Sequence, residues 1–403
     1  MKHAFVVPRY GRDVHGGAEQ GARLLAEHLV SELGWQVEIF TTCARDARTW
    51  ADHYPAGTTE EGGVVVHRFP VDSGRAVDFD ERSTPLLRDP RGVPPRAQED
   101  WLRWQGPVCT RAVDAALASD AVRIAGYPYL YSPIIDVVRR AGARSVLHPA
   151  AHDEAPLYLS VFDEVFGATG GLVLHTEAEA RLVARRFPET IATPQIVLGL
   201  GVDDPVEADP LVARTRLGLG DRPYLVCVGR VDRSKGTDLL ARYFLEYKRR
   251  NPGPLALVLL GQVVDAPPAS PDIITPGLVD EELKWSAMRG ADLLVSPSAN
   301  ESFSLVLLEA WLAGTPVLVN GACGATVEHC RFSGGGLWFR GYAEFEVSLD
   351  RLLGDARLRS SLAAAGARYV DDRFRWPVLV RRYAAFLGAP DTGATAAAVH
   401  EER

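Results

Sequence analysis

Glu301 and Glu309 bracket the stretch ESFSLVLLE, with seven residues between them. On an ideal helix two such positions lie about 80° apart around the axis. Glu309 falls in an apolar run, where a carboxylate is costly unless something donates to it. Sugar hydroxyls are good donors. A helix starting near Ser304 leaves the amides of Ser302, Phe303 and Ser304 without intrahelical acceptors, and amides so placed can hold a phosphate. The plainer alternatives are a helix-start acid at Glu301 and a buried ion pair at Glu309.

Three further clusters carry chemistry. Gly229-Arg-Val-Asp-Arg-Ser-Lys-Gly236 follows the apolar run YLVCV and precedes a helical pattern. Its glycines admit close backbone approach, while Arg230 offers a guanidinium fork and Lys235 a point charge to phosphate. It lacks the GxxxxGK[ST] of a Walker loop, and a turn with solvated charges fits it equally. Gly16 and Gly17 could likewise bring backbone to an anion, or simply serve a tight turn; the GxGxxG dinucleotide spacing is missing. His148-Pro-Ala-Ala-His152-Asp-Glu154 sets a histidine at a strand end, able to position or deprotonate a hydroxyl. A lone histidine is more often structural, and this spacing fits no standard metal set. The Asp78-Phe-Asp80 pair has no strand before it and reads as coincidence.

The elements that must position these groups alternate. Apolar runs at 3–7, 37–41, 64–69, 122–125, 145–147, 172–175 and 195–198 read as strands, with a helical pattern over 18–33. A second series runs through 224–228, 255–260, 273–275, 293–296, 316–320 and 337–339. Such alternation gives an α/β fold of two parallel, doubly wound sheets, with ligands at the carboxyl ends of strands and a cleft where the sheets face. The break falls near 199–205, so the expected domains are 1–199 and 200–375. Residues 71–100, rich in Pro, Asp and Arg, read as a long mobile loop. Residues 389–403 read as a disordered tail.

Bulk properties narrow the class. The 403 residues suit two domains of roughly 200 residues each. Hydrophobic residues make up 47% and charged ones 24%, as in a soluble globular protein. A net charge of −8 argues against a nucleic-acid partner. No apolar run approaches the roughly 20 residues of a membrane-spanning helix, and MKHAFVVPRYGRD does not read as a signal peptide. Five cysteines without a CxxC pair suggest reduced, buried thiols and a cytoplasmic location.

In this order and at these separations, VVPRYGRDVHGGAE, GRVDRSKG and the block GLVDEELKWSAMRGADLLVSPSANESFSLVLLEAWLAGTPVLVNG resemble glycosyltransferase family 4 over most of residues 1–340. The resemblance implies a GT-B fold, two facing Rossmann-like domains, with a last helix at 376–388 crossing back to the first. It implies retaining, metal-independent hexose transfer from a UDP- or GDP-linked sugar, with no cofactor beyond that co-substrate. Gly229, Arg230 and Lys235 would hold the diphosphate, with the backbone of Ser302, Phe303 and Ser304 adding contacts. Glu301 would meet the donor sugar and Glu309 the ribose. Gly16 and Gly17 would approach from the opposite domain. His152 matches the histidine at the reacting centre, with His148 as the fallback. Leu278 would lie near the nucleobase. Gln262, Ser302 and Ser304 stand where the family often has glycine, and Glu328 matches a family acid. The acceptor would be a glycan, a lipid-linked species or a small molecule, with at most weak peripheral contact at the inner face of a membrane. The alternatives are a nucleotide-sugar epimerase, a phosphorylase of the same fold, and a non-catalytic nucleotide-sugar-binding subunit.

Overall fold

A computed structural model describes residues 1–14 and 16–388; the expected tail at 389–403 lies outside the described residues. The first sheet comprises β1 (Lys2–Val6), β2 (Gln36–Thr42), β3 (Gly57–Glu61), β4 (Val64–Phe69), β5 (Arg123–Gly126), β6 (Ser145–Leu147), β7 (Leu172–Leu174) and β8 (Gln195–Val197). Its order is β3-β4-β2-β1-β5-β6-β7-β8, parallel except for β3. The second comprises β9 (Tyr224–Val228), β10 (Ala256–Leu260), β11 (Ile273–Gly277), β12 (Leu293–Ser296), β13 (Val317–Asn320) and β14 (Gly336–Phe339), all parallel, in the order β11-β10-β9-β12-β13-β14. Chain order reverses between β1 and β5 in one sheet and between β9 and β12 in the other. Loops leaving neighbouring strands diverge at such points and open a crevice.

The central strands β9, β10, β12 and β13 are apolar runs covered on both faces, which explains why they lack alternation. The helix Gly17–Leu33 instead shows one apolar stripe, burying Leu25, Ala26 and Leu29 against the first sheet. Gly34 ends it in the left-handed conformation at φ 63°, with the amides of Gly34 and Trp35 returning to Val30 and Leu29.

One expectation fails and one strand was missed. Residues 71–100 are not one long loop: they hold the helix Phe79–Leu86 and the start of the helix Pro95–Gln105. Trp101 and Leu102 bury into the first core, Trp101 Nε1 donates to Ser83 Oγ at 2.8 Å, and Gln98 is buried, accepting the Val161 amide at 2.7 Å. The charged residues that suggested a loop are the solvent side of these helices. The strand β3, GTTEE, was not anticipated. It is a polar edge strand, antiparallel to β4, whose pattern carries no apolar signal.

The chain crosses between the sheets twice. After β8, Gly199 and Gly201 pack against the rings of Phe374 and Trp376, so closely that a Cβ on either would collide. Val202 pairs with Arg375 in a parallel bridge beside them. The helix Trp376–Gly388 then lies on the first domain, against Gly17–Leu33, and its buried Tyr383 hydroxyl meets His3 Nε2 at 3.0 Å and His148 Nε2 at 3.1 Å.

Candidate active site

The two crevices face each other across a cleft of about 520 Å³. The loop after β9 turns sharply at Gly229, φ 139°, beneath Gly261, where a Cβ would strike the Gly229 carbonyl. Asp232 then organises the turn: it accepts the Lys235 amide at 2.9 Å and the Ser234 hydroxyl at 2.7 Å, and pairs with Arg230. Asp232 is thereby held below the ordinary carboxylate range; burial pushes its carboxyl up, and those donors outweigh it. Gly236, left-handed at φ 72°, presses on the Pro297 carbonyl and docks this loop against the one after β12. Arg230 and Lys235 are thus presented side by side into the cleft, both partly exposed.

Glu301 lies in the loop before the helix Leu305–Leu312, so the angle expected from an ideal helix does not apply to it. Its Oε1 takes a hydrogen bond from Lys235 Nζ at 2.6 Å. Ser304, in the left-handed conformation at φ 77°, reverses the chain just ahead of the helix. Among the described residues the amides of Phe303, Ser304 and Leu305 donate to no protein acceptor, so they are available to an anion. Glu309, one turn into that helix, accepts from Lys284 Nζ at 3.1 Å. Burial pushes its carboxyl up, and Lys284 pulls it partly back.

From the first domain the cleft receives Gly17, Gln20, Tyr127, Tyr129, Tyr131, His152, Glu154 and His175. His152 follows a strained residue, Ala150 at φ 53°, and a strap pinned by the buried Glu179, which accepts the amides of Ala151 and His175, both at 2.6 Å. Burial pushes the Glu179 carboxyl up to about 8. His175 is buried and held neutral, its ring pushed down to about 3. It meets Tyr127 on one nitrogen at 2.9 Å and Ser302 Oγ on the other at 3.3 Å, linking the two domains at the cleft floor.

Of the residues singled out in the sequence, Gly17, His152, Gly229, Arg230, Lys235, Glu301, Ser302, Phe303, Ser304 and Glu309 line this one cleft. Four others do not. Gly16 backs onto the Glu19–Arg9 pair. Gln262 is exposed and gives its carbonyl to the Val231 amide at 2.9 Å. Leu278 is 65% exposed just beyond β11, two strands from β9. His148 is buried under Tyr383, its ring pushed well below its ordinary value by burial. Phe303 contributes backbone only, since its ring packs in the core against His329 and Phe374. Glu328 clasps the domains outside the cleft, accepting from the Glu177 amide at 2.7 Å and from Arg181 at 3.0 Å. Lys284, Tyr127 and His175 were missed. Lys284 sits in an ordinary charged helix pattern, and the tyrosine and histidine look structural one at a time.

Residues 222–355 match the family described as glycosyl transferases group 1. The D-inositol 3-phosphate glycosyltransferase of Stackebrandtia nassauensis is 30% identical over 397 residues, covering 89% of this chain and 82% of its own. The chain belongs to glycosyltransferase family 4. It is a nucleotide-sugar-dependent, retaining glycosyltransferase, and members of this family need no metal. The GDP-mannose-dependent alpha-(1-6)-phosphatidylinositol monomannoside mannosyltransferase of Mycolicibacterium smegmatis is 29% identical over 277 residues, covering 62% of this chain and 72% of its own. Among solved structures, trehalose-6-phosphate synthase OtsA superposes with a TM-score of 0.73 at 14% identity, over 97% of this chain and 99% of its own. Sucrose-phosphate synthase from Thermosynechococcus elongatus does so with a TM-score of 0.70 at 18% identity, over 95% and 97%. These establish the GT-B fold. No helix among the described residues is long and apolar enough to cross a membrane.

Proposed function

We propose that the cleft binds a UDP- or GDP-linked hexose on its second-domain wall and passes the hexose to a hydroxyl of a small-molecule or lipid-linked acceptor resting on the first. Arg230, Lys235 and the free amides at the start of Leu305–Leu312 take the diphosphate. Glu309 takes the ribose hydroxyls and Glu301 the donor hexose. The observation that carries this reading is the convergence of two cations, a helix start and two carboxylates from one sheet on His152 and Gly17 from the other.

The arrangement suits a leaving group that gains negative charge as the glycosidic bond breaks. Fixed cations and amides stabilise that charge without reorganising. A departing phosphate oxygen can take the acceptor's proton on the face it leaves, which preserves anomeric configuration. His152, half-exposed and 3.5 Å from Glu154, then orients the hydroxyls at the reacting centre. Sugar nucleotides are cytoplasmic metabolites, so this reading places the protein in the cytoplasm.

Lys235→Ala or Arg230→Ala should lower turnover by about 10²–10³-fold, the usual cost of removing one charge-stabilising group. Nucleoside diphosphate release from UDP- and GDP-hexoses measures it. Near-normal release by either variant would refute the assignment.

A further inference from the structure

We infer that Glu154 recognises the acceptor, and that this acceptor is an unphosphorylated polyol. The inference rests on the donor assignment above and concerns the opposite wall.

Charge is divided unevenly across the cleft. The cations that line it, Arg230, Lys235 and Lys284, all come from the second domain. Among the described residues, the first domain contributes no lysine or arginine to the lining. Its polar groups near the reacting centre are Gln20, Tyr129, Tyr131, His152 and Glu154. Four first-domain cations lie near this lining but outside it: Arg9 and Arg75 act on Tyr131, and Arg181 and Arg185 line an adjoining recess that shares His152 and Glu301, Arg181 being paired with Glu328. Arg9 pairs with the buried Glu19. Arg75 donates to the Gln105 carbonyl at 3.4 Å and lies 4.7 Å over the Phe79 ring.

Glu154 is built into place. Its Oε1 accepts the Tyr129 hydroxyl at 2.9 Å and stands 3.5 Å from His152 Nδ1. Its other oxygen has no protein donor among the described residues. Tyr129 is itself fixed by the buried rings of Phe162 and Phe166. A carboxylate with one oxygen anchored and one open is suited to accept hydroxyls, and charge-assisted bonds of this kind are the stronger ones. Toward a phosphate the same oxygen is repulsive. Relatives named for D-inositol 3-phosphate carry a phosphorylated acceptor in their names; this wall would offer that group a negative charge.

The test pairs each of inositol, glucose, mannose and glycerol with its own monophosphate. The full chain is supplied with whichever of UDP-glucose or GDP-mannose it hydrolyses, and nucleoside diphosphate release is followed. At least one free compound should accelerate release, and its monophosphate should do so at least tenfold less well. Glu154→Gln should raise the acceptor KM at least tenfold with a smaller change in kcat. A thermal shift of that variant with nucleoside diphosphate shows that it is folded. A monophosphate that outpaces its free partner overturns the inference, as does an unchanged acceptor KM in the variant. Silence of all four free compounds overturns it too, while continuing donor hydrolysis would show that the donor assignment stands. Failure to bind or hydrolyse either donor would instead count against the donor assignment.

Discussion

Glu309 is paired with Lys284, and Glu301 with Lys235. Each acid therefore has two jobs. It neutralises a neighbouring cation, and it is a ready acceptor once hydroxyls displace that cation. Removing Glu309 does more than delete an acceptor, since it leaves Lys284 mostly buried beside a cavity. Glu309→Gln keeps the shape and loses the charge. Losing a charged acceptor costs about 1.5–3 kcal/mol, so nucleotide affinity should fall by roughly tenfold or more. Isothermal titration with UDP and GDP decides it, and unchanged affinity would rule out the ribose role. At this scale the sequence was informative wherever charge stood in a place that burial makes costly, as at Glu309. It was silent on Lys284, because a lysine on an amphipathic helix carries no such signal. It was also silent on Glu154, whose meaning depends on Tyr129, 25 residues away.

Among elements, one strained join lies between the loop after β12 and the helix Leu305–Leu312. Ser304 holds φ 77° there, a conformation that costs an L-residue about 1–2 kcal/mol. The strain points the free amides of the helix start into the cleft. Ser304→Gly relieves it and should raise stability by up to about 1 kcal/mol in urea unfolding, the gain being partly offset by a more flexible unfolded chain. A loss of stability would mean that the Ser304 side chain contributes more than its backbone costs. Strands were legible to within a residue or two because a short apolar run bounded by helical patterns or turns can bury both its faces inside a sheet, as with β9, β10 and β12. The helices within 71–105 were hidden because their apolar positions are few: Trp101, Leu102 and Trp104 are the large ones in Pro95–Gln105, with Gln98 and Gln105 buried as polar residues. A window dominated by Pro, Arg and Asp gives no 3.6-residue period. β3 could be recognised only once β4 was there to pair with it.

At the scale of the whole molecule, four histidines among the described residues are buried and neutral. His3 and His175 are pushed down to about 3, His329 to about 4, and His148 well below its ordinary value, burial being the main cause in each. In the unfolded chain all four would protonate near 6.5. Below that pH the unfolded state binds more protons, so stability falls as pH falls, by up to about 1.4 kcal/mol per pH unit for each ring. Glu179 works the other way. Its carboxyl is pushed up from 4.5 to about 8, so its contribution to stability grows as pH falls through that window. Between pH 6.5 and 5 the four rings oppose Glu179, whose direction is shared by Glu309, Glu328 and Asp136, also raised by burial. The urea midpoint should therefore drop over that interval, and a flat profile would contradict the burial of these rings.

The helix Trp376–Gly388, last among the described residues, lies on the first domain, closing over His3 and His148 through Tyr383. The first domain is therefore discontinuous: its sheet comes from residues before Gly199 and its covering helix from Trp376–Gly388. A ribosome could release a folded second sheet while the first still waited for its lid. A fragment ending at residue 375 would keep every side chain assigned to the donor yet strip the cover from two buried imidazoles. Domain-swapped chimaeras of this protein thus have two junctions to respect, at Val202 and at Arg375, and the two lie side by side.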